Sequence, residues 1–124
     1  MRCPLLLKAL REPGCLTGFD LAAWDRLLPP ARAAGLLARL AVLADDLGLG
    51  PRLPAPVQPH LTAARTLAER QRRAVMWEAR KLDEALGPTG MPVLLLKGAA
   101  YVLGDLPPAR GRLFAAIDIL VPKA

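Results

Sequence analysis

Two charged residues stand in apolar surroundings. Lys97 follows the run Met91-Pro-Val-Leu-Leu-Leu and precedes Gly98, and Asp118 lies within residues 114–121, a segment otherwise made only of apolar residues. Burying an unpaired charge is costly, so a carboxylate in the centre of an apolar strand calls for a cation, a metal or a ring of donors. Residues i and i+2 of a strand share a face, which sets Ala116, Asp118 and Leu120 on one side. An Asp-x-Asp pair there would hold two carboxylates about 7 Å apart, able to bind magnesium ions that also grip a triphosphate. In this chain only the second position is acidic. Gly98 suits a tight strand-to-helix turn, and a phosphate would sit at the start of the helix after it. Two plainer readings stand beside these. Asp118 could be satisfied by an arginine such as Arg112 or by backbone donors, and Lys97 could reach solvent on its long stem.

The elements that must position these residues follow from spacing. Residues 4–10 suit a short helix that Pro13-Gly14 ends. Thr17 offers an N-cap with Asp20 three positions on, and Leu21, Trp24, Leu27 and Leu28 then share a helical face up to Pro29-Pro30. A second helix begins at those prolines and carries Leu36, Leu37, Leu40, Leu43 and Leu47 to Gly48. After a Gly/Pro-rich connection over residues 48–59, a stripe of Leu61, Ala64, Ala68, Val75, Ala79, Leu82 and Leu86 predicts one long helix over 60–86, with Gln71 as its one polar step. Glu69 with Arg73 and Arg80 with Glu84 are spaced for ion pairs on its wet side. His60 is a helix-start residue, and Trp24 and Trp77 are core candidates. Residues 93–96 read as a buried strand, 99–103 as a short helix, 104–112 as a loop and 114–121 as a second buried strand.

The 124 residues correspond to one small domain. With 53% hydrophobic but only 4% aromatic residues, the core must be built of Leu, Ala and Val. The net charge of +6 comes almost wholly from arginine and is compatible with nucleotides or another polyanion, although a solvated basic face is the simpler account of Arg70, Arg72 and Arg73. Cys3 and Cys15 lack zinc spacing. No apolar run approaches the ~20 residues of a membrane span, and residues 1–8 lack a signal-peptide cleavage site, so a cytoplasmic location is expected.

Leu95-Leu96-Lys97-Gly98-Ala99-Ala100, then Arg112 four residues ahead of an Asp-Ile-Asp-Ile-Leu-Val-like strand, resembles the uncharacterised bacterial nucleotidyltransferase-like family within the polymerase-beta-like superfamily. The N-terminal part is similar too, with Trp24 in an early helix, a Leu-rich second helix, a Leu-Pro connection and a long Arg-rich helix. The resemblance implies an α+β fold in which a helical region, 1–87, leads into the first strand-helix-strand of a nucleotidyltransferase sheet, 88–124. It implies transfer of a nucleotidyl group from an NTP to an unknown acceptor. Asp118 matches the second metal-binding, catalytic aspartate, Lys97 and Gly98 the Lys-Gly signature, and Arg112 the arginine before the acidic strand; magnesium is the implied cofactor.

The sequence departs from that pattern at Ala115-Ala116, where the first aspartate would stand, and the superfamily's third carboxylate has no place before Ala124. One carboxylate of three lacks the charge and ligand count for a two-metal displacement. The expectation is therefore an inactive chain: a degenerate member, a fragment whose sheet is completed by further residues, or an engineered variant. A two-stranded sheet is marginal alone. The rival reading is a non-catalytic helical adaptor that binds a partner protein through its Leu-rich and Arg-rich helices. Nucleic-acid binding is disfavoured by the lack of interleaved aromatics.

Overall fold

The computed structural model describes residues 4–114 and 117–123. Among these residues five α-helices, short 3-10 turns and one antiparallel strand pair make a mainly helical α+β fold, as the sequence predicts. Helix α1 spans Pro4–Arg11, α2 Leu21–Ala33, α3 Leu37–Asp46 and α4 Gln58–Leu86; strand β1 is Leu94–Leu96, α5 is Lys97–Leu103 and β2 is Asp118–Leu120.

The first three helices form a leucine-alanine core around Trp24, Leu16, Leu27 and Leu40, closed by Leu61 from the first turns of α4. The cap of α2 is Asp20, not Thr17. Its carboxylate accepts from the Ala23 amide at 2.7 Å, whereas Thr17 lies in a preceding 3-10 turn and donates to the Gly14 carbonyl. Asp20 has the extended backbone a cap needs, immediately before the first helical residue.

Helix α2 also runs through Pro29 and Pro30 instead of stopping at them. Proline removes a helix amide and crowds the preceding turn. Here Leu27, Leu28 and Ala31 are buried on both sides of the pair, so tertiary packing holds the helix to Ala33. Gly35, at φ +70°, supplies the left-handed residue that turns the chain into α3, and the two helix axes meet at 118°.

Helix α4 is the predicted long helix, and it joins the first core to a smaller one made of Val75, Ala99, Val102 and Ala109 with Leu95, Tyr101, Phe114 and Ile117 against them. Glu69 and Arg73 pair at 3.3 Å, but Glu84 pairs with Lys81 at 3.2 Å and not with Arg80. Trp77 is a correction. It is 57% exposed, with the Lys81 ammonium over its ring, because it sits off the apolar stripe of its helix. Among the described residues no helix is long and apolar enough to cross a membrane.

The strands pair with Leu94 opposite Leu120, Leu95 opposite Ile119 and Leu96 opposite Asp118. Neither is buried on both faces. Leu95, Ile117 and Ile119 are half-buried, while Leu94, Leu96 and Leu120 are exposed on the other side. Helices cover only one face of this sheet, so the apolar run that reads as buried is bare on its second face. Strand β2 is also shorter than residues 114–121. The Phe114 amide donates to Gln71 Oε1 on α4 instead of joining a ladder, and Ala115 and Ala116 lie outside the described residues.

Candidate functional site

The strand register builds the site. Because Asp118 is directly opposite Leu96, the last paired residue of β1, its carboxylate emerges beside the next residue, Lys97. Lys97 Nζ lies 3.6 Å from Asp118 Oδ2, with side chains 72% and 47% exposed. An ion pair this open contributes about 0–1 kcal/mol. It balances charge locally and leaves both groups within reach of a ligand. Lys97 itself has φ +55°, a left-handed conformation unusual for a residue with a side chain. The corner between β1 and α5 thus falls on Lys97, and strain of this kind gathers at functional sites.

Gly98 does not supply the positive φ. Its requirement is steric: a Cβ there would come within 2.5 and 2.6 Å of the Phe114 ring and 3.2 Å of Arg112 Nε. The Phe114 ring therefore lies directly on the buried first turn of α5. Arg112 completes the layer, with its guanidinium 5.4 Å from the Tyr101 ring centre and 5.9 Å from that of Phe114. Among the described residues Asp118 pairs with Lys97 and forms no ion pair with Arg112.

The structure thus gathers Lys97 with Asp118 at the corner, and Gly98 with Arg112 one layer behind. Two contributors escaped the sequence reading. Gln71 looks like an interruption in an apolar stripe, yet it receives the Phe114 amide at 2.5 Å and so fixes the ring over Gly98. Tyr101, half-buried on α5 against the second core, is the second aromatic under Arg112. The signal for Gln71 was its being the one polar residue in that stripe. His60, in the first turn of α4, meets Arg32 Nη2 through Nδ1 at 3.0 Å, away from this corner.

The donor set does not fit magnesium. Among the described residues no three His, Cys, Asp or Glu side chains come together, and the one carboxylate present faces an ammonium. A hard divalent cation takes about six oxygen ligands, and one or two carboxylates normally anchor it beside phosphates. A lone carboxylate already balanced by lysine supplies neither the charge nor the count.

A search against protein families matches residues 20–124 to the family described as uncharacterised nucleotidyltransferase. No curated protein and no solved structure matches. The match begins at the Asp20 cap of α2 and runs through the Lys97–Asp118 corner, so helices α2 to α5 are as much part of the family pattern as the strands, while α1 lies ahead of it. On that coverage, this chain belongs to the uncharacterised nucleotidyltransferase family.

Proposed function

We propose that the chain is a nucleotidyltransferase-family domain that binds the phosphates of an NTP at the β1-α5 corner and, with alanine at position 116, does not itself transfer the nucleotide. The observation that carries this reading is the Lys97–Asp118 pair at the strand-helix corner. Lys97 offers a mobile, exposed ammonium to a phosphate. Asp118 stands where the resemblance places a metal-binding aspartate, but here its countercharge is Lys97, and no second carboxylate stands at position 116. Gly98 and Arg112 serve as the floor of the site, through the stacked Phe114 ring. Magnesium binding is weak in this chain because the donors are too few. The proposed setting is the cytoplasm.

Calorimetric titration of magnesium-ATP tests this. Ala116→Asp should tighten binding by about tenfold by restoring a second carboxylate, and Lys97→Ala should weaken it. Equal affinity in all three proteins would reject the reading. Release of pyrophosphate from ATP by the unmodified chain, beyond a Lys97→Ala control, would reject the proposed inactivity.

The bare sheet face favours a second reading, a non-catalytic adaptor for a partner protein. Leu94 and Leu120, cross-strand neighbours, are 59% and 54% exposed. A partner bound this way would be lost on Leu94→Glu with Leu120→Glu and would survive Asp118→Ala. Binding indifferent to the paired glutamates removes the reading.

A further inference from the structure

A cleft of about 440 Å³ opens between the start of α3 and the loop after α5, with Arg39, Arg110 and Arg112 on its walls beside Ala34, Leu36 and Pro108. All three arginines are held. Arg39 Nη1 donates to the carbonyls of Pro107 at 3.2 Å and Arg110 at 2.9 Å. Arg110 forms a two-pronged pair with Asp46 at 2.8 and 2.7 Å. Arg112 lies over Tyr101 and Phe114. The loop can approach this closely because residue 111 is glycine: it sits at φ +70°, and a Cβ there would come within 2.8 Å of the Ala38 carbonyl oxygen and of Arg39 Cα.

The charges do not cancel. Asp46 offsets Arg110, but among the described residues Arg39 and Arg112 have no carboxylate within 4.0 Å. Each keeps donors beyond those already used, in the planar fork that matches phosphate oxygens. Groups already fixed by carbonyls and rings lose little side-chain freedom when an anion arrives. The volume is larger than one phosphate needs, and lining arginines from two segments, Arg39 on α3 and Arg112 in the loop after α5, suit a chain of linked phosphates.

We propose that this cleft is a binding site for a polyphosphate anion, held chiefly by Arg39 and Arg112. It goes beyond the nucleotide site at the β1-α5 corner and shares only Arg112 with it. The phosphate chain could be free or the tail of a nucleotide, since the recognition chemistry is the same.

Inorganic tripolyphosphate, without added metal, is titrated into the full chain by calorimetry. Binding should weaken as salt rises, and Arg39→Gln, which keeps a donor for the loop carbonyls but removes the charge, should reduce affinity by at least about fivefold. Arg73→Gln, the same charge change on the far helix face, should leave it unaltered, and thermal melts of both variants confirm folding. No binding, or equal losses in the Arg39 and Arg73 variants, would overturn the site. Lys97→Ala separates the two proposals: loss of tripolyphosphate there, with none in Arg39→Gln, places the anion at the corner and rejects the cleft. Failure of magnesium-ATP to bind, with tripolyphosphate retained, rejects the corner and keeps the cleft. Competition by ATP at the affinity of tripolyphosphate identifies a free phosphate chain as sufficient, and tighter ATP binding identifies a nucleotide tail; both uphold the cleft.

Discussion

At position 98 only hydrogen fits. A methyl group would stand 2.5 Å from a Phe114 ring carbon, and that ring is pinned through its backbone by Gln71. Gly98→Ala should therefore destabilise the chain by about 1–3 kcal/mol, the usual range for overpacking, as read from the urea midpoint. An unchanged midpoint would mean that Phe114 moves away freely. The neighbouring Lys97 carries the left-handed backbone, so the two residues of the Lys-Gly pair have different jobs: one turns the chain and presents a cation, the other admits a ring. Asp46 gives a prediction in pH. The hydrogen bonds from Arg110 hold its carboxyl below the ordinary carboxylate range. A depressed folded-state pKa adds stability above the unfolded value of about 4, and that increment is lost as pH falls through the lower folded-state value. Asp46→Asn should melt below the parent protein at pH 6, and the gap should close by about pH 2. A gap independent of pH would assign the loss to packing.

Among the elements, α2 shows how a cap and a buried face together override local breakers. Asp20 begins the helix, and the buried Leu27, Leu28 and Ala31 carry it past two prolines. Asp20→Ala should cost about 1 kcal/mol, measurable by chemical denaturation, whereas Thr17→Ala, in a turn whose hydroxyl bond is exposed, should cost much less. Equal losses would mean that the predicted cap at Thr17 matters after all. Strand β2 shows the converse. Its apolar composition marks a strand, but the Phe114 amide is drawn off by Gln71 and the described pairing reduces to three residues on each side. That short register is still enough to put Asp118 beside Lys97.

Over the molecule as a whole, α4 carries two unequal cores. Among the described residues the first gathers fifteen buried side chains and the second, which holds the candidate site, four. Opening free energy follows buried contact, so amides of β1 and α5 should exchange with solvent much faster than those of α3 in native-state hydrogen exchange. Uniform protection would show that the two cores unfold as one.

The sequence by itself determined the long helix, the helix-first order of elements, the strand-helix-strand ending and the candidacy of Lys97, Gly98 and Asp118, because periodicity, a turn glycine and a charge placed in an apolar run are local signals; Arg112 became a candidate only through the resemblance to a known family. Only the tertiary structure decided which partner Asp118 takes, what Gln71 is for, why Gly98 must lack a side chain and which sheet face stays bare. Those answers depend on residues distant in sequence: β1 against β2, α4 against the Phe114 loop, and α3 against Gly111. Pro29 and Pro30 mark the boundary between the two. Their local preference is to end a helix, and a core built from elsewhere in the chain outweighs it.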